Sequence, residues 1–220
     1  MAYRDFISLI HKATKRNYLQ RVVENDKAEC ALISKQFGPE YFDGDRKYGY
    51  GGFKYDGRWR LLAEKLISHY DLKPGCSILD IGCAKGFLVH EFKQILPGAH
   101  VVGIDISQYA ISHALSDVKP FVQTGNATDL PYADRAFDLV VSINTLHNLY
   151  IYQLKNALLE IERVGKAHKY IVMDSYRNER EKANLLYWQL TCECFFTPQE
   201  WEWIFQECNY TGDYGLVFFE

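Results

Sequence analysis

Ile78-Leu79-Asp80-Ile81-Gly82-Cys83-Ala84-Lys85-Gly86-Phe87-Leu88 reads as a buried strand, a glycine-containing turn and the start of a helix. In open α/β sheets, ligands bind just beyond the carboxyl ends of the strands, which is where this turn falls. Gly82 and Gly86 let the backbone come close to a ligand. The amides that open the following helix suit a ligand carboxylate, and Asp80 suits an ammonium group, directly or through water. A side chain at position 82 is expected to collide with that ligand or to strain the turn.

Working outward, short apolar runs alternate with helical stretches from Cys76 onward. The runs are Ser77–Ile81, His100–Ile104, Pro120–Gln123, Phe137–Ile143 and Lys169–Met173, and the predicted helices between them are Phe87–Leu96, Gln108–Ser116 and Tyr152–Val164. Such alternation means βαβ units around a buried parallel sheet, with right-handed crossovers that place helices on both faces. The second strand ends in Asp105, and a carboxylate there can accept both hydroxyls of a ribose. That feature fits either of two nucleoside cofactors, and the glycine turn separates them. A dinucleotide fingerprint needs G-x-G-x-x-G, whereas Gly82, Ala84 and Gly86 give G-x-A-x-G, and no Tyr-x-x-x-Lys pair stands in the right place for an NAD-dependent oxidoreductase.

With these residues in view, the segment Leu79 to Gly86 resembles the first motif of class I S-adenosylmethionine (SAM)-dependent methyltransferases, with Ala84 in place of the middle glycine. That replacement fits a backbone angle outside the left-handed region. Asp105 matches the family's acidic residue after the second strand. Gly125-Asn126-Ala127-Thr128-Asp129-Leu130-Pro131 resembles the family's G-D-A-x-x-L-P loop, with Asn126 where an aspartate commonly meets the adenine amino group; an amide oxygen can accept the same bond. Phe137-Asp138-Leu139-Val140-Val141-Ser142 resembles the fourth-strand motif, and Asn144-Thr145-Leu146-His147-Asn148-Leu149 follows it at the active-site edge. The resemblance covers roughly Trp59 to Met173. It implies a Rossmann-like, doubly wound, mostly parallel sheet of the seven-stranded type. It also implies SAM as cofactor, with S-adenosylhomocysteine as its product, held by Asp80, Gly82, Cys83, Ala84, Gly86, Asp105, Ile106, Asn126, Ala127 and Asn144. The family's sheet ends in two strands, the last antiparallel, but only Tyr214 to Phe219 is evident here.

Residues 3 to 36 read as helical, with apolar positions at Phe6, Leu9, Ile10, Tyr18, Leu19, Val22 and Val23. A glycine- and tyrosine-rich segment, Tyr41 to Trp59, follows and is expected to be a lid, mobile without ligand and ordered over the cofactor. Residues 1–58 are therefore expected to form an N-terminal helical and lid unit, and 59–220 the cofactor-binding domain, with an acceptor-pocket insert at about 174–196. Arg46 or Arg58 is expected to reach the cofactor's carboxylate. Tyr48, Tyr50, His147, Tyr176 and Trp188 are the expected substrate contacts. His147, whose ordinary pKa is about 6.5, and Asn144 are the candidate catalytic residues. Thr197-Pro198-Gln199-Glu200 spells a helix start with a capping box.

Composition bounds the partners. Net charge is −3 and pI about 6.2, so a general nucleic-acid face is not expected. Lys12, Lys15, Arg16 and Arg21 form a local basic patch, read as a solvated helix face. No run approaches the roughly 20 apolar residues that span a bilayer, and the N-terminus lacks a signal-peptide core, so the protein is expected to be cytoplasmic and away from membranes. The six cysteines include no C-x-x-C pair and point to reduced thiols; no metal site is expected. Hydrophobic residues at 48% supply a full core, and aromatics at 15% suit a ligand pocket. The expected activity is methyl transfer to an O or N atom of a small molecule or sugar-like metabolite. A non-catalytic SAM-binding regulatory module and an NAD-dependent Rossmann oxidoreductase are the alternatives, and the oligomeric state is open.

Overall fold

The computed structural model describes residues 1–12, 16–51 and 53–220, so Lys15 and Gly52 lie outside the described residues, as does the side chain of Leu9. The central apolar runs become strands because helices cover both of their faces, while β3 at the sheet edge leaves Gln123 and Thr124 exposed. The strands are β1 (Ser77–Ile81), β2 (His100–Asp105), β3 (Val122–Thr124), β4 (Phe137–Ile143), β5 (Gly165–Ser175) and β6 (Asp213–Phe218). They form one six-stranded sheet in the order β3-β2-β1-β4-β5-β6. Every pair is parallel. The Rossmann-like doubly wound arrangement expected from the sequence is thus present.

The sheet has six strands among the described residues instead of seven, and its last strand runs parallel. The reason is the connection after β5. The chain leaves through α9 (Glu179–Trp188) and returns through α10 (Pro198–Glu207), and a helical crossover delivers the next strand in the same direction. Thr197 and Glu200 make the capping box expected for α10. β6 would be an open edge, but Arg4 donates to Tyr214 O at 2.7 Å and Tyr214 donates to Ala2 O at 3.0 Å, so the extreme N-terminus covers part of it.

Two apolar clusters lie on the two faces. One joins β1, β4 and β5 to α5 (Arg60–His69) and α6 (Phe87–Ile95) through Leu62, Leu66, Ile78, Phe92, Leu139 and Val172. The other joins the sheet to α8 (Ile151–Val164) and α10 through Leu79, Leu158, Ile161, Trp201 and Phe205. The N-terminal part is less helical than its periodicity predicts: α1 (Ser8–Lys12), α2 (Tyr18–Val23) and α3 (Lys27–Ser34) are short. Asn17 and Asp26 cap α2 and α3 by accepting backbone amides, which stops one long helix from forming. Ile7, 2% exposed, joins the same cluster as Leu62, so this segment packs into the sheet's core. All six cysteines are free thiols. Among the described residues no helix is long and apolar enough to cross a membrane.

Candidate active site

The strand order reverses between β1 and β4, and a crevice opens where the chains leading from these strands diverge. A cavity of about 510 Å³ lies there. It is lined at one end by Asp80, Gly82, Cys83, Ala84, Asp105, Ile106, Asn126, Ala127 and Asn144, so the segments singled out from sequence converge on one space. Gly86 is not in the lining: its φ of +76° starts α6 as the residue before the first turn.

Gly82 has φ +79°, and a Cβ there would lie 2.0 Å from Thr145 Oγ1. The first obstacle to a side chain at position 82 is therefore Thr145, on the loop after β4, and loss of binding in a Gly82 variant would report this packing as much as ligand contact. Ala84 overturns one expectation. Its φ is +49°, inside the left-handed region that disfavours a Cβ. Asp105 holds it there: Oδ2 accepts the Ala84 amide at 2.8 Å, and Oδ1 accepts that of Ser107 at 2.8 Å. Ala84→Gly is expected to stabilise the protein by up to about 1 kcal/mol, the left-handed strain less glycine's extra chain entropy. Denaturant unfolding measures this, and a clear loss of stability would show that the angle carries no strain.

Asp80 is 3% exposed and faces the cavity. Burial, reinforced by the nearby Asp105 charge, raises its carboxyl to about 8. Asp105 is also raised, by burial, against the lowering effect of its two amide bonds. Two carboxyls sharing a dry crevice favour a cationic ligand. Each Asp105 oxygen takes one amide and keeps a second lone pair for a hydroxyl. Asn126 is exposed and its Oδ1 accepts the Thr128 amide at 3.0 Å, fixing the loop as well as offering a lone pair. These residues fit SAM: acid for the ammonium, paired acceptors for a ribose, and a backbone turn kept free of side chains.

The other end of the cavity is polar and aromatic, lined by His11, Arg16, Tyr50, His147, Asn148, Asp174, Trp188, Gln189 and Phe219. Tyr50 OH accepts the Leu190 and Thr191 amides at 2.8 and 3.0 Å. Its own proton then goes to Thr191 Oγ1 at 3.0 Å, and Thr191 donates to Asn148 Oδ1 at 2.8 Å. This chain fixes the Asn148 amide with its oxygen committed, so its NH2 group is what Asn148 offers the cavity.

His147 lines the cavity, but its geometry does not suit a general base. The ring is 2% exposed. Nδ1 accepts the Asp174 amide at 3.2 Å, which puts the ring proton on Nε2, 3.6 Å from Asp174 Oδ2. No lone pair remains for a substrate proton, and burial lowers the ring's basicity, with Asp174 only partly opposing. Its carbonyl accepts the Glu193 and Cys194 amides, so His147 braces the segment after α9.

Several other expected contacts fall elsewhere. Tyr48 and Tyr176 are not among the cavity's lining residues; the ring of each lies beside a lysine instead, Lys47 for Tyr48 and Lys182 for Tyr176. Arg58 reaches the cavity edge, but its guanidinium is bidentate to Asp56 at 2.5–2.9 Å, a pairing that competes with a ligand carboxylate. Arg46 lies over Trp188, at the end of the cavity away from Asp80. Arg16 and Arg21 are not a solvated face: their guanidiniums lie 5.4 and 4.5 Å from the Trp188 ring centre. Sequence reasoning also missed Ile7, Ile10, His11 and Phe219 as lining residues; they reach the site only through long-range packing that leaves no local pattern.

The segment Tyr41 to Trp59 is anchored at three points. Lys85, within the β1–α6 turn, pairs with both oxygens of Asp43 at 2.6 and 2.7 Å, and Tyr109 donates to Asp43 at 2.7 Å. Tyr50 holds the Leu190–Thr191 backbone, and Tyr55 donates to the buried Glu91 at 2.7 Å. In the ligand-free structure these anchors tie the segment to the cofactor-binding domain at Asp43, Tyr50 and Tyr55, where composition alone predicts a mobile lid. Backbone amides of Tyr48 and Gly49, bonded within the segment, and of Gly44, bonded to Pro39 O just before it, are expected to show hydrogen-exchange protection in the ligand-free protein and little change with S-adenosylhomocysteine. Protection arising only with ligand would restore the lid.

Comparison with known proteins agrees with this geometry. The methyltransferase domain family matches residues 72–209. Similar proteins include the sterol 24-C-methyltransferase ERG6B of Gibberella zeae, 31% identical over 52% of this chain and 33% of its own length. Another is the demethylmenaquinone methyltransferase of Symbiobacterium thermophilum, 32% identical over 50% of this chain and 46% of its own. The chain thus spans a third to a half of the length of these relatives. In the complex of the Haloferax volcanii Trm112 methyltransferase activator with its methyltransferase, a chain superposes with a TM-score of 0.55 at 18% identity, covering 84% of this chain and 76% of that one, a likeness of fold. The cofactor crevice and the family match lead to one assignment: the chain belongs to the methyltransferase domain family of class I SAM-dependent methyltransferases.

Proposed function

We propose that the protein transfers a methyl group from SAM to an O or N atom of a small, hydroxyl-bearing metabolite. The observation that carries this reading is the single cavity joining the Asp80–Asp105 end to the polar, aromatic end at Trp188. SAM, when bound, supplies an electrophilic methyl group. Asp80 would hold its ammonium, Asp105 its ribose hydroxyls, and the Asn126–Ala127 loop its adenine. The protein's own contribution is position: groups held in line can account for about 7–11 kcal/mol of a barrier.

At the acceptor end, Asn148 would orient an acceptor oxygen through its fixed NH2 group, and Trp188 and Phe219 would exclude water. His147 and Asp174 would shape this end without taking a proton. The relatives' names, a sterol and a demethylmenaquinone enzyme, differ in acceptor, so acceptor chemistry must come from this chain's own cavity. Incubating the protein with methyl-labelled SAM and a metabolite extract, followed by mass identification of labelled products, tests the reading. A labelled small molecule together with S-adenosylhomocysteine is expected. Binding of SAM without turnover on any extract would instead favour a regulatory SAM-binding module.

A further inference from the structure

Arg16 places a cation in the wall of the acceptor end. Its Nη1 donates to His11 O at 3.2 Å and Nη2 meets His11 Nδ1 at 3.1 Å. The guanidinium sits over both Trp188 and Phe219, 5.4 and 5.5 Å from their ring centres. Arg21 and Arg46 approach the same indole at 4.5 and 5.6 Å. Three guanidiniums around one buried tryptophan repel one another, and burial together with Arg46 pulls the proton affinity of both Arg16 and Arg21 down. Their field has the sign that draws an anion into the cavity.

A second observation lies in the same wall. Gln189 is 6% exposed and lines the cavity, and its Oε1 has no hydrogen-bond partner among the described residues. Its Nε2 donates to Asp174, which fixes the amide's orientation. A buried amide oxygen left unmatched costs stability unless a donor arrives. The Asp174 carboxyl at this end is raised by burial, so it opposes an incoming anion less than an ordinary aspartate would.

We propose that the methyl acceptor carries an anionic group, a phosphate or a carboxylate, bound against Arg16 at the Trp188 end of the cavity, with a hydroxyl or amide donor beside it for Gln189. The inference rests on the methyl-transfer reading, since it names the substrate class for the same cavity. The guanidinium is braced by His11, by a hydrogen bond with Tyr18 and by two rings, and its fixed, planar positive charge suits either oxyanion.

The test uses protein saturated with S-adenosylhomocysteine, so that the cofactor's own carboxylate site is filled. Sodium phosphate, sodium acetate and glucose are titrated at constant ionic strength, with melting temperature and calorimetry as readouts. Saturable binding of phosphate or acetate, but not of glucose, is expected. Arg16→Gln should weaken that binding about tenfold or more, the scale of a bond to a charged group, and leave S-adenosylhomocysteine affinity unchanged. Gln189→Glu, which adds a like charge at this end without altering Arg16, should weaken it similarly and serves if Arg16→Gln does not fold. A preference for phosphate would indicate a phosphomonoester acceptor, and one for acetate a carboxylic acid. Neither anion binding while S-adenosylhomocysteine binds would overturn the inference and leave the methyl-transfer reading standing. Glucose alone binding, or anion binding indifferent to both substitutions, would overturn it equally. Failure of S-adenosylhomocysteine to bind would overturn the reading beneath it.

Discussion

Asp80→Asn is expected to weaken SAM binding by about 10- to 100-fold at pH 8, the scale of a lost hydrogen bond to a charged group, while raising the melting temperature of the ligand-free protein. Both effects follow from one carboxyl. Asp80 is buried in the crevice, and burial with the Asp105 charge raises it to about 8, well above an unfolded aspartate near 4. Between those two values the folded protein holds a proton that the unfolded chain releases. The ligand-free protein therefore loses stability as pH rises from about 4 to about 8. Asparagine has no charge to bury and removes that loss. A cationic ligand favours the ionised form, so binding releases the proton. Affinity in the wild type should rise by up to about tenfold per pH unit below 8 and level off above it. Calorimetry with SAM from pH 6 to 9, in buffers of different ionisation enthalpy, measures the released proton directly. A flat profile, or an asparagine variant that binds normally, would remove Asp80 from the site.

Asp105→Ala is expected to damage binding and fold together. From sequence alone Asp105 is a ribose acceptor. The structure gives it a second task, because its oxygens accept the amides of Ala84 and Ser107. Removing it frees an alanine held at φ +49° and leaves two amides without acceptors. Each charged bond contributes about 1.5–3 kcal/mol, so affinity should fall about 10- to 150-fold and unfolding free energy by about 2 kcal/mol or more. Asp105→Asn keeps one acceptor oxygen and should lie between alanine and wild type. Calorimetry and denaturant unfolding on the same three proteins separate the two roles. Alanine at wild-type stability would show that the Ala84 angle needs no support.

The sheet was legible because a parallel strand buried on both faces has to be apolar, and the runs from Ser77 to Ile143 say so without help from distant residues. Local signals also carried one end of the cavity: Asp80 and Asp105 stand at the carboxyl ends of β1 and β2, and Gly82, Asn126 and Asn144 sit on the turns that follow strands, which is where ligands of such sheets lie. The Trp188 end of the cavity was not legible in this way. Arg16 and His11 reach it from near the N-terminus, Phe219 from near the C-terminus, and Gln189 from the end of α9, brought together only by packing. A basic run in a helical stretch looks solvated in sequence; here Arg16 lies between α1 and α2, with its guanidinium over Trp188 and Phe219. In the tyrosine-rich segment it was the anchors that stayed hidden. Glycines suggest freedom, but the pairing of Asp43 with Lys85 and the bonds of Tyr50 and Tyr55 are long-range and invisible to local reading.

The most direct test of the central claim, that the crevice between β1, β2 and β4 holds SAM, is a calorimetric titration of the wild-type protein with S-adenosylhomocysteine at pH 8, beside the same titration with NAD. One equivalent of S-adenosylhomocysteine binding, with binding weakened in both Asp80→Asn and Asp105→Asn and no comparable heat from NAD, is the predicted result. Absence of S-adenosylhomocysteine binding, or binding indifferent to both substitutions, would contradict the account.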